Sequence, residues 1–314
     1  MALPTPPLFI VFNVSSGAAD AAQMSGRLGE LLTAAGRPHE ILRVQGADEL
    51  TRATVRAVHA AREAHGAVVA AGGDGTLNAV AQLVWNADQL MGVLPQGTFN
   101  YFGRTQGMPT DLDEAVAALL TAREEPVTIG LLGERVFLVN ASVGLYPRLL
   151  EEREAAKRRF GRHRAVALLS GLATLLRGRS VLTLELHAEG QTRVVRTRTL
   201  FVGNNELQMQ EIGLRHAVDV EQGRLAAITL EPLSLPRTLW LLVRGALGRL
   251  DGAEGVDSFA FDELVVRMRR GVRWVKVALD GEVLRMPPPL SFRTAPRPLR
   301  LLVPPKPAGE EGAA

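Results

Sequence analysis

The sequence predicts two domains of different class, an α/β domain followed by a β-rich one. Three observations predict it. Short runs rich in Val, Ile and Leu alternate with helical stretches up to about Glu125-Pro126. Beyond that point, strand-like runs follow one another at short spacing with few helices between them. The 314 residues also suit about two domains at the usual size of roughly 150 residues each.

The elements follow in order. Leu8-Phe-Ile-Val-Phe12 is a continuous apolar run, as expected of a parallel strand buried on both faces, and it ends in the loop Asn13-Val-Ser-Ser-Gly17. A helix is expected from about Asp20 to Ala35, then a strand at Glu40–Val44, then a helix capped by Asp48 and running to His65. Ala67–Ala71 is a third strand ending at Gly72, Thr76–Val84 a helix, and Met91–Leu94 a fourth strand before Pro95. Right-handed crossovers between such strands make a parallel sheet covered on both faces, with ligands collecting at the carboxyl ends of the strands.

In the second half, strands are expected at Val136–Asn140, Val181–His187, Arg193–Val202, Leu225–Leu230, Val256–Val266 and Trp274–Leu279, with a helical interruption from about Leu149 to Leu176. The expected architecture is a Rossmann-like parallel-sheet domain over residues 1–128 and an antiparallel β-sandwich-like domain over 129–303. A Pro/Gly/Glu-rich tail, 304–314, is expected to be disordered.

Composition narrows the function classes. Apolar residues at 46% and charged residues at 22% fit an ordinary globular chain and exclude a disordered one. The absence of cysteine excludes a disulfide scaffold, a thiolate nucleophile and any Cys-ligated zinc or iron–sulfur site. Lys occurs only at 157, 276 and 306, so 33 of the 36 basic residues are Arg. With a net charge of +3 and no basic tract interleaved with aromatics, no nucleic-acid partner is expected. The N-terminus has no cationic n-region and the apolar stretch Ala165–Leu176 is too short to span a bilayer, so the expected setting is cytoplasmic.

The strongest local signal is Gly72-Gly73-Asp74-Gly75-Thr76-Leu77-Asn78, which follows a buried strand and opens a helix. Clustered glycines let successive N–H groups point into one concavity and hold an anion, and the helix N-terminus adds partial positive charge. A carboxylate at Asp74 beside a phosphate calls for a cation between them, which suggests Mg²⁺. The motif is neither a P-loop nor a dinucleotide fingerprint.

A second loop, Leu94-Pro95-Gln96-Gly97-Thr98-Phe99-Asn100, follows the fourth strand and should lie beside the first. There the Thr98 hydroxyl and the Asn100 amide could reach phosphate or ribose oxygens. Asn13 and Ser16 stand in the loop after the first strand. In the second domain, Leu279-Asp280-Gly281-Glu282 reads equally as a hairpin turn and as a carboxylate placed to take a proton from a hydroxyl.

Taken in order and at these distances, Asn-x-x-Ser-Gly, GGDGT-x-N, Leu-Pro-x-Gly-Thr-x-Asn and Leu-Asp-Gly-Glu resemble the diacylglycerol kinase catalytic family, which includes bacterial lipid kinases and the sphingosine and ceramide kinases. Asn140-Ala-Ser-Val-Gly144 and Val202-Gly-Asn-Asn205 resemble further family segments. The resemblance runs from about Leu8 to Val303 and implies an ATP- and Mg²⁺-dependent kinase acting on a lipid hydroxyl in an interdomain cleft.

By that resemblance, Gly72, Gly73, Asp74, Gly75, Thr76 and Asn78 wrap the ATP phosphates, with Asp74 near Mg²⁺. Gly97 and Thr98 contact the nucleotide, Asn13 and Ser16 line its other side, and Glu282, supported by Asp280, accepts the proton. It also implies a lipid substrate met at the membrane surface, peripheral association with the inner membrane face, and room for a homodimer. A soluble hydroxyl acceptor, or a nucleotide-binding regulator with little turnover, remain alternatives.

Three positions depart from the family pattern. Tyr101 stands where bacterial lipid kinases often carry Asp, Val127-Thr-Ile-Gly130 replaces Val-Asp-x-Gly, and Glu221-Gln222-Gly223 replaces an Asp-Gly pair of a structural Mg²⁺ loop. The first two would weaken an acidic network around Asp74. The segment Leu235–Leu250 combines Trp240 and leucines with Arg237, Arg244 and Arg249, so its apolar face suits either an anionic membrane surface or the body of the second domain.

Overall fold

The computed structural model describes residues 6–14, 18–145, 147, 181–213, 216–269 and 271–305. The expected helix at 149–176 and the tail from 306 lie outside these residues. The chain divides into two units, residues 1–128 with 296–314, and residues 129–295.

The first unit is built on β1 (Leu8–Asn13), β2 (His39–Val44), β3 (Ala67–Gly72) and β4 (Met91–Pro95). They pair in parallel in the order β2-β1-β3-β4. All six residues of β3, Ala-Val-Val-Ala-Ala-Gly, are buried, which is why the run carries no polar alternation. Helices α1 (Ala18–Ala34), α2 (Ala47–Glu63), α3 (Asp74–Asn86), α4 (Tyr101–Thr105) and α5 (Leu112–Thr121) fill the connections. Asp111 caps α5, its side chain accepting from the Asp113 and Glu114 N–H groups.

The cap expected of Asp48 is corrected: Gly46 is the N-cap of α2 and Asp48 sits inside the first turn. The terminus is instead closed by Glu49, which accepts the Gln45 N–H at 2.8 Å.

The sheet is completed from the far end of the chain. β5 (Arg123–Val127) pairs antiparallel with β18 (Leu299–Val303), and β18 pairs parallel with β4, so the order ends β4-β18-β5. No strand was expected here, and the expected boundary of 129–303 placed these residues in the β-rich domain; the chain instead returns to the first unit. Its side chains carry the reason for the return. Leu299 and Leu301 are buried in the first unit's core, and Arg300 grips Glu124 through two bonds of 2.6 and 3.1 Å. Just before the strand, Arg297 lies over the Trp85 ring and pairs with Asp88 at 2.8 Å.

The second unit holds two antiparallel six-stranded sheets. One orders β10 (Gln191–Thr197), β9 (Leu182–Ala188), β14 (Glu263–Met268), β17 (Leu290–Thr294), β6 (Gly130–Leu132) and β7 (Arg135–Phe137). The other orders β13 (Val256–Phe261), β12 (Leu225–Leu230), β11 (Thr199–Gly203), β8 (Asn140–Gly144), β15 (Val275–Leu279) and β16 (Glu282–Met286). Phe137, Leu264 and Phe292 of the first meet Val143, Phe261 and Val277 of the second in one buried cluster.

The expected long strands Arg193–Val202 and Val256–Val266 are each broken by one residue, Arg198 and Asp262, where the chain passes from one sheet to the other. Short helices α6 (Glu206–Glu211) and α7 (Ala217–Glu221) cover part of the second sheet, and α8 (Leu235–Ala246) lies in the connection from β12 to β13. No helix among the described residues is long and apolar enough to cross a membrane.

Candidate active site

The parallel register brings the carboxyl ends of β1, β3 and β4 to one edge of the first sheet, with Phe12 opposite Ala71 and Gly72 opposite Pro95. Three loops therefore meet there. The Asn13 amide donates to the Thr76 hydroxyl at 2.7 Å, and the Gln96 N–H donates to the Gly72 carbonyl at 2.8 Å. Of the expected site residues, Ser16 lies outside the described residues.

The glycines of the first loop differ in what they do. A Cβ on Gly73 would stand 3.2 Å from the Cα of Gly97, and one on Gly97 would stand 2.7 Å from the Cα of Gly73. Backbone is pressed on backbone, so these two glycines close the loops upon each other. Gly72 is required by Thr76, whose side chain a Cβ would meet at 2.7 Å. Gly75 is required by neither: a Cβ there meets no atom within 4 Å, and its φ is not positive. Its bareness leaves open space in front of the α3 N-terminus.

That terminus is suited to an anion. Its N-cap, Gly73, offers no side-chain acceptor to the first N–H groups of a 13-residue helix. The Asp74 side chain turns instead toward the second loop, where it accepts from the Phe102 N–H at 3.3 Å. Burial raises its pKa, opposed by the backbone N–H groups of Phe102, Tyr101 and Asn100.

Asn100, expected to reach a ligand, is 4% exposed and committed to its own loop. In a left-handed conformation, φ 53°, it accepts from the Gly97 N–H at 2.6 Å and donates to the Gly97 carbonyl at 2.9 Å. The effect is to hold Gly97 and Thr98 outward, with Thr98 exposed. A cavity of about 360 Å³ lies alongside, lined by Met24, Gln96, Gly97, Asn100 and Asp111 among others. The Gln96 amide nitrogen is buried with no partner among the described residues, a donor that the loop motif quoted but did not single out. Tyr101, in place of an acid, stacks on exposed Phe99 with ring centroids 5.7 Å apart.

In the second unit, Leu279 pairs with Glu282 across a two-residue turn in which Asp280 and Gly281 both have positive φ, 44° and 89°. The hairpin reading of Asp-Gly is thus realised, and more than a turn results. The Asp280 carboxylate accepts the N–H groups of Leu138, Val139 and Asn140 at 2.7, 2.9 and 2.8 Å, and its own N–H donates to the Asn140 carbonyl. This grip is why the expected strand Val136–Asn140 breaks at Leu138-Val139: those N–H groups serve a carboxylate instead of a ladder. Asp280 therefore positions the turn, and Glu282, the first residue of β16, stands exposed beyond it.

The metal expectations meet the following groups. No cluster of three His, Cys, Asp or Glu side chains suited to a metal occurs among the described residues. Asp74 alone fits Mg²⁺ in the manner of sites that complete their shell with phosphate oxygens and water. At the Glu221-Gln222-Gly223 loop, the neighbouring Asp219 is already hydrogen-bonded with His216 at 2.7 Å and paired with Arg224 at 3.4 Å, so that carboxylate is engaged within the protein.

The first unit is thus an α/β fold with an anion-suited glycine loop at the carboxyl edge of its sheet. More particularly, residues 7–132 match the family model of the diacylglycerol kinase catalytic domain. A diacylglycerol kinase of Staphylococcus carnosus is 36% identical over 94 residues, 29% of this chain and 31% of that protein. One of Staphylococcus aureus is 30% identical over 137 residues, 43% of this chain and 42% of that protein. The alignments thus span less than half of these relatives' length.

A crystal structure of a diacylglycerol kinase from Bacillus anthracis superposes with a TM-score of 0.72 over 96% of this chain and 99% of that one, at 16% identity. At that identity the likeness is one of fold, and it extends through both units.

Proposed function

We propose that the protein is an ATP- and Mg²⁺-dependent lipid kinase phosphorylating a hydroxyl of a diacylglycerol-like or sphingoid lipid. The observation that carries this reading is the α3 N-terminus, uncapped by any side chain and fronted by the open space at Gly75, inside the stretch that matches the family. ATP supplies the phosphoryl group and Mg²⁺ neutralises its charge; what this chain contributes is positioning and one base. The backbone from Gly72 to Thr76 holds phosphate, Asp74 holds the metal, and Gly97, Thr98, Asn13 and Asn78 bound the nucleotide. Glu282 takes the proton of the acceptor hydroxyl while Asp280 keeps its turn rigid.

A second reading, a nucleotide-binding regulator with little turnover, is favoured by one observation: Tyr101 stacks on Phe99 where an acid would extend the network around Asp74. Measuring ATP consumption with and without diacylglycerol or sphingoid lipid in micelles separates the two. Lipid-dependent consumption supports the kinase; consumption that soluble alcohols raise and lipids do not moves the acceptor to a soluble compound; none at all favours the regulator.

A further inference from the structure

Two segments of the second unit emerge at the same end of its sheets. Helix α8 follows β12, whose last residue Leu230 pairs with Thr199, itself opposite Gly144. The segment 271–274 precedes β15, whose Val277 pairs with Val143 next to Gly144. Arg198 ties this end together, its carbonyl accepting the Leu145 N–H and its guanidinium donating to the Leu233 carbonyl ahead of α8. A cavity of about 690 Å³ lies at the same end, lined by Leu182, Met268, Val272, Trp274 and Lys276 among others.

What these segments display is unusual for a surface. Trp240 and Val243 on α8 and Leu247 at its C-cap recur at helical spacing, with Leu241 buried, and Val272 and Trp274 stand exposed in the segment 271–274. Five of the nine large apolar side chains exposed among the described residues are in these two segments, including two tryptophans more than 60% exposed. Residues 235–250 and 269–276 together hold seven Arg and Lys and no Asp or Glu, although the chain as a whole is nearly balanced at 36 against 33. Of the seven, Arg237 is paired with Glu254 at 3.0 Å, while Arg244 gives one donor to the Arg249 carbonyl and keeps its charge.

We propose that this end of the second unit is a docking face for a bilayer bearing anionic headgroups. Tryptophan with one apolar body and one polar tip, aliphatic side chains beside it, and arginine around them match the layered chemistry of a membrane interface. A second copy of this chain docked through the same face would set cation against cation. Nucleic acid would leave Val243, Leu247 and Val272 without a partner. The proposal deepens the lipid-kinase reading by naming the face that meets the substrate's phase, and it is tested without ATP so that the two can fail separately.

The experiment is cosedimentation with vesicles of equal parts phosphatidylcholine and phosphatidylglycerol, against vesicles of phosphatidylcholine alone. The wild-type chain is expected on the anionic vesicles at low salt and much less on the neutral ones. The pair Trp240→Ala and Trp274→Ala should weaken partitioning by at least about tenfold. The pair Arg269→Gln and Arg273→Gln, which spares the apolar stripe and so guards against a folding defect, should cost about fivefold for each cation removed. Val194→Ser, exposed elsewhere in the unit, should change nothing.

Partitioning unaffected by either pair overturns the proposal, as does a wild-type chain that ignores anionic vesicles. Displacement from vesicles by single-stranded RNA, or a solution mass that halves in the Trp pair while vesicle binding persists, would assign the face to another occupant. A protein that binds vesicles but consumes no ATP with lipid keeps the face and loses the kinase reading; the converse result does the opposite.

Discussion

Replacing Asp280 with Ala should lower the melting temperature of the second unit by about 10–20 °C, before any question of chemistry arises. The magnitude follows from three charge-assisted bonds to the Leu138, Val139 and Asn140 N–H groups, all of buried residues. Because Asp280 is itself only half-buried, the lower value of about 1.5 kcal/mol per bond applies. Ala in the left-handed region adds about 1 kcal/mol. The total, about 5.5 kcal/mol, converts at about 2–4 °C per kcal/mol for a unit of this size.

Calorimetry of the Ala, Gly and Asn variants checks the parts separately. Asp280→Gly removes the acceptor and tolerates the φ, so it should recover about 1 kcal/mol over Ala. Asp280→Asn keeps one acceptor oxygen and should fall between Gly and wild type. An Ala variant melting within about 2 °C of wild type would refute the anchor and return Asp280 to the list of candidate bases.

The other expectations are more direct. Glu282→Gln should melt like wild type and bind Mg·ATP, yet lose about 10²–10⁴-fold in kcat on a demonstrated substrate, which steady-state kinetics reads; wild-type turnover would remove Glu282 as the base. Mg·ATP at about 100 times its Kd should stabilise the wild-type chain by about 2.7 kcal/mol, and Gly75→Val should fold and lose that gain in a thermal-shift assay, because a side chain fills the space before the helix.

Gly73→Val should lose the same gain and also melt earlier, since it forces the backbone of Gly97 away. Burial raises the Asp74 pKa, so the carboxyl favours folding when protonated and that contribution fades as pH rises through its folded pKa. Asp74→Asn should therefore melt above wild type near neutral pH, with the advantage vanishing in acid, while productive Mg·ATP binding weakens. A pH series of melts decides it.

How far the sequence could be read differs by element. The parallel sheet was legible because β1, β3 and β4 are buried on both faces and so consist almost wholly of apolar residues. That burial also predicts where Gly72–Asn78 and Gly97-Thr98 gather. The β-rich unit was legible in class and less so in detail, because a strand that bends between two sheets keeps its apolar residues through the bend. Arg198 and Asp262 interrupt strands without a glycine or proline to announce it.

At the site, residue type announced the loops but not the division of labour within them. Asn100 and Asp280 both bear groups apt for ligands, and both are spent on backbone partners, Asn100 on Gly97 within its own loop and Asp280 across about 140 positions of sequence. The feature that would have found them is conformational: each occupies positive φ, where Asn and Asp are the favoured residues after glycine.

The placement of β18 between β4 and β5 has a consequence for synthesis. A ribosome delivers β1 to β5 first and Leu299–Val303 only after the whole of the second unit, so the nascent first unit waits through that synthesis with a gap between β4 and β5. During that interval β4 is an open edge and β5 has no neighbour, the condition under which strands pair with the wrong partner. A premature stop just ahead of Leu299 would thus disable the unit whose other strands are made first.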